Sequence, residues 1–259
     1  MNEYYNYDKL TFPREVAERM VIIAKLSPGQ LVLDVACGTG WATIAAAKAV
    51  GLKGKITGID VEKNCLDIAK EKTVKAGISN VEHLWGDAEA LDFDNDSFDA
   101  LLCASGVMWF KDLPKALREW YRVLKPGGTV SFTSFGTRFL QPVIKPLGEC
   151  LSRFDGQPAA VPSFIETTDN SEKCRELLRN AGFMKIEITM ESLDSRYSNI
   201  ASYWQEITLT FIRRRLARLS PTDLERLKAE HLAEMKSLYS DRDIVMEIPT
   251  IISVAKKLQ

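Results

Sequence analysis

The sequence predicts an α/β fold in which a doubly wound, mostly parallel sheet carries helices on both faces. Between residues 31 and about 135, short β-branched runs alternate with segments of helical periodicity, the pattern of successive β–α–β units. A glycine-rich turn follows the first run and opens the first helical segment, as in many nucleotide-binding sheets. The chain has 259 residues, 46% hydrophobic and 27% charged, which suits one globular domain over residues 1–259.

Five strands and three helices are predicted in this region. The strands are Leu31 to Val35, Lys55 to Asp60, Val81 to Trp85, Asp99 to Ala104 and Thr129 to Ser134. The helices are Trp41 to Val50, Lys63 to Ala76 and Leu113 to Leu124. In the third helix the apolar residues recur at helical spacing, so that helix should pack on the sheet.

The flanking segments have a different composition. Residues 1–30 include Pro13, which suits the first turn of a helix, and we expect an N-terminal helical cap there. Residues 136–170 contain four prolines and three glycines, which predicts a long, partly irregular insertion of the kind that forms lids. The remaining predicted elements are a helix at Ser171 to Ala181, a strand at Phe183 to Met190, a mainly helical insertion at 199–239 and a final strand at Ile244 to Ala255.

Charge and composition argue against several classes of protein. Lys plus Arg total 34 against 35 for Asp plus Glu, so no basic field exists to hold nucleic acid. No stretch approaches the roughly 18 apolar residues that a membrane-spanning helix requires, and the N-terminus lacks the pattern of a secretory signal. The five cysteines are scattered without a CxxC pair, so we expect reduced thiols, no metal site and a cytoplasmic location.

The turn after the first strand predicts a ligand cradle. In VLDVACGTG, Gly38 and Gly40 let the backbone approach a ligand closely. A dinucleotide fingerprint would place a small third residue at position 43, where Thr43 stands instead. Asp34 just before the turn would repel a diphosphate and attract a sulfonium or ammonium group. The cradle therefore favours a cationic ligand.

Two further carboxylates follow the next two strands. Asp60 ends the second strand, where it is placed to accept hydrogen bonds from ribose hydroxyls. Asp87 follows the third strand within Gly86-Asp87-Ala88 and is placed to accept from an exocyclic amine. Because the carboxyl ends of parallel strands line one crevice, Asp34, Asp60 and Asp87 are expected to converge.

These segments resemble the class I S-adenosylmethionine-dependent methyltransferases, in particular the group that includes the ubiquinone and menaquinone biosynthesis enzymes. The resemblance covers about half the chain, with one departure at Ala36, where members often have glycine. It implies a Rossmann-like, seven-stranded sheet with an antiparallel last strand, and Lys125-Pro126-Gly127-Gly128 as the turn before the fifth strand. The matching segments are LDVACGTG (33–40), GID (58–60), GDAEALDFDNDSFDALLC (86–103) and RVLKPGGTVSFTSF (122–135).

The resemblance also implies the cofactor, S-adenosylmethionine, and the product, S-adenosylhomocysteine. The first turn would hold the methionine end, Asp60 the ribose, and Asp87 the adenine amine, with Val61 beside the adenine. Ala104, Ser105 and Gly106 would lie under the sulfonium. The implied cofactor-binding residues are Asp34, Ala36, Gly38, Thr39, Gly40, Asp60, Val61, Gly86, Asp87, Ala88, Ala104 and Ser105.

Aromatic residues outside the core predict an apolar acceptor pocket built by the insertions 136–170 and 199–239. In related enzymes the N-terminal segment folds over the cofactor, so one of Tyr4, Tyr5 and Tyr7 is expected to contact cofactor or acceptor, an ordinary ordered tail being the alternative. The candidate acceptor residues are Tyr5, Tyr7, Met108, Trp109, Phe135 and Trp204, and Phe139, Phe154 and Phe164 also suggest the pocket.

The sequence does not identify a general base. His83 lies within the third strand, where packing is the better interpretation than catalysis. His231 falls among Glu230, Glu234 and Lys236, which predicts surface exposure. Arg213-Arg214-Arg215 is interpreted as a solvated helix face.

The predicted function is therefore methyl transfer from S-adenosylmethionine to O, N or C of a small, mostly apolar metabolite. Residues 31–135 would form the cofactor-binding core, and the mostly helical insertions would form an acceptor lid. A quinone-ring C-methyltransferase is the nearest alternative. A cyclase or binding protein of the same fold, which does not transfer a methyl group, is a second alternative. Asp34 and Thr43 argue against a third, an NAD oxidoreductase. A monomer or homodimer is expected, without nucleic acid or an integral membrane segment.

Overall fold

A computed structural model describes residues 7–158, 166–239 and 243–258 of the chain. The strands are β1 (Leu31–Val35), β2 (Lys55–Asp60), β3 (Val81–Trp85), β4 (Phe98–Cys103), β5 (Leu124–Phe135), β6 (Met184–Ser192), β7 (Ser195–Tyr197), β8 (Ile244–Met246) and β9 (Pro249–Lys256). The helices are α1 (Phe12–Ala24), α2 (Trp41–Val50), α3 (Lys63–Lys75), α4 (Leu113–Val123), α5 (Ile144–Asp155), α6 (Ser171–Asn180), α7 (Ile200–Ile207), α8 (Arg213–Leu216) and α9 (Pro221–Leu238). Short 3-10 turns lie at Tyr7–Lys9 and Val107–Trp109.

Seven of the strands form one sheet in the order β3-β2-β1-β4-β5-β9-β6. Strands β1 to β5 are parallel, whereas β9 runs antiparallel between β5 and β6. The predicted seven-stranded, mostly parallel sheet with an antiparallel last strand is thereby confirmed. The order reverses beside β1, so the crevice at the carboxyl ends of β1 and β4 is where such sheets bind ligands.

Helices cover both faces of this sheet because successive strand residues point to opposite sides. Val32 and Leu102 are fully buried in an apolar cluster with α1 and α2. Leu33 and Leu101 are fully buried in a second cluster, which contains residues of α4 and α6. The stripe predicted on α4 packs in this second cluster around Trp120, which has no exposed surface.

A third apolar cluster lies outside the two faces of the sheet. It joins α5, α7, α8 and α9 to the carboxyl end of β5 at Phe135, and Met108 packs against it after β4. The small sheet of β7 and β8 also contributes to this cluster, through Tyr197, Ile244 and Met246. Residues from both insertions therefore share one core with the ends of β4 and β5.

The predicted final strand, Ile244 to Ala255, is wrong as one element. It is two strands in two sheets, since β8 pairs with β7 and β9 pairs with β5 and β6. Between them the amide of Glu247 donates to the carbonyl of Gln141, and Pro249 has no amide hydrogen to offer. The chain therefore leaves one ladder before it enters the next.

The helix α5 lies within residues 136–170 and agrees with the predicted mostly helical insertions. The start of β5 differs from the sequence prediction. β5 begins at Leu124, but its register with β4 jumps from Leu124 to Thr129, so Lys125 to Gly128 bulge out as the predicted turn. Among the described helices, none combines the length and apolarity that a bilayer crossing requires.

Candidate active site

Asp34 lies at the end of β1 with no exposed surface. The hydroxyl of Thr43 donates to its Oδ2 at 2.5 Å, whereas Oδ1 has no hydrogen-bond partner in the described parts of the chain. Burial raises the pKa of Asp34 to about 7; the nearby charge of Asp60 adds to this, and the bond from Thr43 opposes it. Thr43, which breaks a dinucleotide fingerprint, thus serves here to hold the buried carboxyl.

The turn between β1 and α2 has an unusual backbone. Ala36, Gly38 and Gly40 all have left-handed φ values, of 50°, 54° and 86°. Apart from its chain neighbours, no described residue has an atom within 4 Å of where a side chain on Gly38 would begin, so the backbone conformation, rather than space, favours glycine there. At Gly40 a Cβ would come within 3.1 Å of the Ala69 Cβ, because α3 packs closely behind the turn.

Asp60 ties this turn to the end of β2. One carboxylate oxygen accepts from the Gly38 amide at 2.8 Å, and the other accepts from the Glu62 amide at 2.9 Å. The Gly86 amide donates to the Asp60 carbonyl at 3.2 Å, which brings the end of β3 to the same place. Val61 is exposed beside this point, and its carbonyl accepts from the Trp85 indole at 3.1 Å.

Asp87 lies at the rim of the crevice. It is exposed, and its Oδ1 accepts from the Glu89 amide at 2.9 Å in a local turn. Ala88 is buried, with its carbonyl accepting from the Trp120 indole at 3.1 Å. Asp34 and Asp60 are thus near one another at the turn, and the bond from the Gly86 amide to the Asp60 carbonyl places the neighbouring Asp87 at the same end of the sheet.

The end of β4 packs directly on the cradle. A Cβ on Gly106 would lie 3.0 Å from the Ala36 Cβ and 2.7 Å from the Cys103 sulfur, so only glycine fits there. Ser105 has φ of 55°, and its amide donates to the Thr133 hydroxyl at 2.7 Å. Its own hydroxyl is buried with no hydrogen-bond partner among the described residues. Ala104 is half-buried beside it.

The candidate acceptor residues lie in two environments. Met108 is half-buried against the third apolar cluster, while Trp109 is exposed, with the Arg214 guanidinium 5.8 Å from its ring centre. Phe135 is buried and stacks on Phe139, with ring centroids 4.1 Å apart. Trp204 is half-buried against the same cluster, as is Phe154. Tyr4, Tyr5 and Phe164 lie outside the described residues, as does the side chain of Tyr7.

A polar group that the sequence did not reveal ties the N-terminal segment to the cradle. Asp8 Oδ1 accepts from the Thr39 hydroxyl at 2.6 Å and from Lys72 Nζ at 2.7 Å. Lys72 Nζ also lies 3.3 Å from the ring centre of Trp41, and burial lowers the pKa of this lysine. These residues are too far apart in sequence for any local spacing to indicate the contact.

The structure agrees with the sequence-based interpretation of one histidine and contradicts that of the other. His83 is buried, its Nε2 lies 3.4 Å from the Thr73 hydroxyl, and burial lowers its pKa, which confirms the packing interpretation. The predicted exposure of His231 is wrong, since it has no exposed surface and its Nε2 lies 2.8 Å from the Tyr203 hydroxyl. Burial lowers the pKa of His231 to about 4.

The spacing along α9 could have indicated this burial. Leu227, His231 and Met235 recur at four-residue intervals and are its three buried residues. The solvated face predicted for the three arginines is also only partly right. Arg215 donates twice to the Asp155 carboxylate, at 2.8 Å each, with both side chains largely buried.

Comparison with known proteins assigns the chain to a protein family. Residues 6–150 match the ubiE/COQ5 methyltransferase family. The chain belongs to this family. It is therefore a methyltransferase with S-adenosylmethionine as its cofactor, as the resemblance implied. It is 30% identical to the demethylmenaquinone methyltransferase of Oceanobacillus iheyensis over 207 residues, which cover 72% of this chain and 86% of that protein.

Other relatives match over shorter stretches or through the fold. The demethylmenaquinone methyltransferase of Staphylococcus aureus strain MRSA252 is 49% identical over 102 residues, 39% of this chain and 42% of that one. A putative methyltransferase of Bacillus halodurans has TM-score 0.63 at 21% identity, covering 95% of this chain and 100% of the other. The [4+2]-cyclase SpnF has TM-score 0.57 at 24% identity, covering 95% and 80%. The Bacillus halodurans protein and SpnF share the fold of this chain.

The cradle of this ubiE/COQ5-family chain fits the sulfonium cofactor. Asp34 carries a buried carboxylate oxygen without a partner in the described ranges, and Asp60 places a second carboxylate at the same turn. Two carboxylates favour a ligand with cationic groups and disfavour a diphosphate. The residues that the structure describes leave open space beside Gly38, where a ligand can approach the backbone. No group of three potential metal-ligating side chains occurs in the described residues.

Proposed function

We propose that this methyltransferase transfers a methyl group to O, N or C of a small, mostly apolar metabolite. The observation that carries the proposal is the third apolar cluster, in which helices from residues 136–170 and 199–239 pack with Phe135 and Met108 at the ends of β5 and β4. Arg214 reaches the exposed Trp109 from the second insertion. Both insertions thus adjoin the crevice through apolar and aromatic groups, which suits an apolar acceptor.

The cofactor-binding residues are part of the same proposal. We assign Asp34 and the backbone of Gly38, Thr39 and Gly40 to the methionine end, because Oδ1 of Asp34 has no partner within the described ranges. Asp60 is assigned to the ribose; each of its oxygens accepts one amide hydrogen and has further lone pairs for hydroxyls. The adenine is assigned to the groups beside β3, and the sulfonium to the end of β4. These groups are Val61, Gly86, Asp87 and Ala88 for adenine, and Ala36, Ala104 and Ser105 near the sulfonium.

The chemistry requires little covalent help from the protein. The bound cofactor supplies an electrophilic methyl group on a sulfonium, whose carbon–sulfur bond breaks as the acceptor's electron pair forms the new bond, with S-adenosylhomocysteine released. The residues of the chain hold both molecules in line and exclude water. No general base is assigned, because the lowered pKa values of His83 and His231 make both imidazoles weak bases.

A quinone-ring carbon is the second candidate acceptor. It is favoured by the demethylmenaquinone methyltransferases that match this chain. The strongest of these matches in identity covers only 102 residues, so it supports the shared core more than the acceptor region. A cyclase of the same fold is the alternative that the reaction products must exclude.

The test is a screen of quinols, phenols, amines and other aromatic metabolites for release of S-adenosylhomocysteine. The mass of each product is then measured by mass spectrometry. A product one methylene equivalent heavier than its acceptor supports the proposal, and the methylated atom separates ring carbon from oxygen and nitrogen. An isomeric product without S-adenosylhomocysteine would overturn it in favour of a cyclase. We also propose a cytoplasmic location and a monomer or homodimer, the latter to be checked by sedimentation.

A further inference from the structure

The buried pair of Tyr203 and His231 stands out in the third apolar cluster. Tyr203 on α7 and His231 on α9 both have no exposed surface, and the hydroxyl lies 2.8 Å from imidazole Nε2. The other ring nitrogen, Nδ1, is also buried and has no hydrogen-bond partner in the described parts of the chain. A buried polar atom without a partner costs about 1 to 3 kcal/mol, so such an atom needs an explanation.

Two other buried polar residues of this region have local partners. Glu206 accepts from the amide and hydroxyl of Thr11, at 2.7 and 2.8 Å, and the Thr210 hydroxyl donates to the Ile207 carbonyl. The Tyr197 hydroxyl also has no hydrogen-bond partner among the described residues, but it lies beside Glu206 and other polar side chains. His231 differs, since burial is the one cause that shifts its pKa.

We propose that His231 Nδ1, oriented by Tyr203, is the polar anchor of the acceptor site and binds a hydroxyl group on an aromatic acceptor. This inference rests on the proposed function, which it narrows to a substrate class. Imidazole with a lowered pKa is neutral at pH 7, so one ring nitrogen donates and the other accepts.

A hydroxyl suits either tautomer of this pair. If the Tyr203 hydroxyl donates to Nε2, Nδ1 carries the hydrogen and donates to the acceptor's oxygen. If Tyr203 accepts from Nε2, Nδ1 accepts the acceptor's hydrogen instead. A carbonyl satisfies only the first arrangement and an ammonium only the second, whereas a phenolic or quinol hydroxyl satisfies both.

The surroundings favour an aromatic ring on the acceptor. The Trp204 ring centre lies 6.1 Å from that of His231 and the Tyr203 ring centre 5.8 Å from it, both tilted. Trp204 is only half-buried, so one aromatic neighbour of His231 reaches solvent. The same cluster includes Phe135, and Met108 packs against it, which connects the pair to the end of β4 through continuous apolar packing. Aromatic side chains beside a site stabilise a planar ligand through stacked or edge-on contacts.

The test compares two probes of similar shape, 1-naphthol and naphthalene, by calorimetry with S-adenosylhomocysteine present. One neutral hydrogen bond predicts that the wild-type protein binds 1-naphthol about 3- to 10-fold more tightly than naphthalene. His231→Gln, which places its amide near Nε2, should abolish this preference and leave naphthalene binding unchanged. His231→Asn, whose amide lies near the Nδ1 position, should retain it. Glu230→Gln, an exposed neighbour on α9, is the matched control and should also retain it.

A second readout does not depend on any variant. In protein with ¹⁵N-labelled histidine, 1-naphthol should shift the Nδ1 resonance of His231, and naphthalene should not. The inference is overturned if wild type binds neither probe, if it shows no preference, if both probes weaken equally in His231→Gln, or if the Nδ1 resonance does not respond. Failure of methyl transfer to every compound in the acceptor screen would instead refute the proposed function and leave a hydroxyl-binding site in place.

Discussion

The affinity for S-adenosylmethionine should rise with pH because of Asp34. The perturbation is a change from pH 6 to pH 8, compared between wild type and Asp34→Asn. Burial raises the pKa of this carboxyl to about 7 in the free protein, so it is mainly protonated at pH 6. A cationic ligand at the unpaired oxygen favours the ionised form, and binding is therefore coupled to proton release.

The magnitude follows from the fraction of protein that is already ionised. With a pKa of about 7, roughly one molecule in ten carries the charged carboxylate at pH 6 and about nine in ten do so at pH 8. If the cofactor binds only the charged form, its apparent affinity increases about 8- to 10-fold across this range, which corresponds to about 1.3 kcal/mol. The affinity must rise with pH and not fall, because the raised pKa leaves a proton on Asp34 that binding of the cationic cofactor has to remove.

The assay is titration calorimetry in two buffers that differ in ionisation enthalpy. At pH 6 we expect close to one proton released per cofactor bound, falling towards zero at pH 8. The Asp34→Asn variant should bind more weakly and lose this part of the pH dependence, while titration of the cofactor's own amine affects both proteins equally. Asp99→Asn is the matched control, because Asp99 lies at the amino ends of the parallel strands, opposite the crevice, where it accepts from the Leu31 amide. The reasoning is refuted if Asp34→Asn and wild type release the same number of protons at pH 6.

Three further predictions concern the cradle and the histidine pair. Asp60→Ala should weaken cofactor binding by roughly 1 to 3 kcal/mol in calorimetry, because charge-assisted bonds to the ribose and to the Gly38 amide are both lost; unchanged affinity would mean that the ribose lies elsewhere. Deletion of residues 1–9 removes Asp8 and its bond to Thr39, so cofactor dissociation measured by stopped flow should accelerate about 2- to 10-fold, the effect of one hydrogen bond; an identical rate would rule out a holding role. Because the pKa of His231 is lowered in the folded protein, the unfolded chain takes up a proton at higher pH than the folded one does. The free energy of unfolding should therefore fall by up to about 3 kcal/mol more in wild type than in His231→Phe as the pH drops from 6.5 to 4. Equal losses in urea titrations of the two proteins would contradict the burial of this imidazole.

The parts of the fold that could be predicted are those whose signal is local. The bounds of β1, α2, β2 and β3 match the sequence prediction, because each is a short periodic run bounded by turn residues. The strand ends that carry Asp34 and Asp60 follow directly from these bounds. The composition of the cradle, together with the residues matched to the family, was therefore sufficient to predict the cofactor.

The errors arise where the outcome depends on a distant partner. Nothing near Ile244 indicates that it will pair with Tyr197 while Thr250 pairs with Phe135 in another sheet. Asp8 meets Thr39 only because α1 folds back beside the cradle. His231 is surrounded by charges in sequence, yet the helix turns it towards Tyr203, and the charged neighbours face outward.

The place of β9 in the sheet bears on how the chain is assembled during synthesis. β9 is the last described strand in sequence, but it lies between β5 and β6, with Thr129 paired to Lys256 on one side and Ile252 paired to Thr189 on the other. Until residues 249–256 have emerged from the ribosome, β5 has an open edge and β6 has no neighbour in the sheet. Open edges invite pairing with other chains, and pairings so distant in sequence form slowly. A nascent or truncated chain that lacks β9 is therefore expected to depend on chaperones or to aggregate, even though its cofactor cradle is already encoded in full.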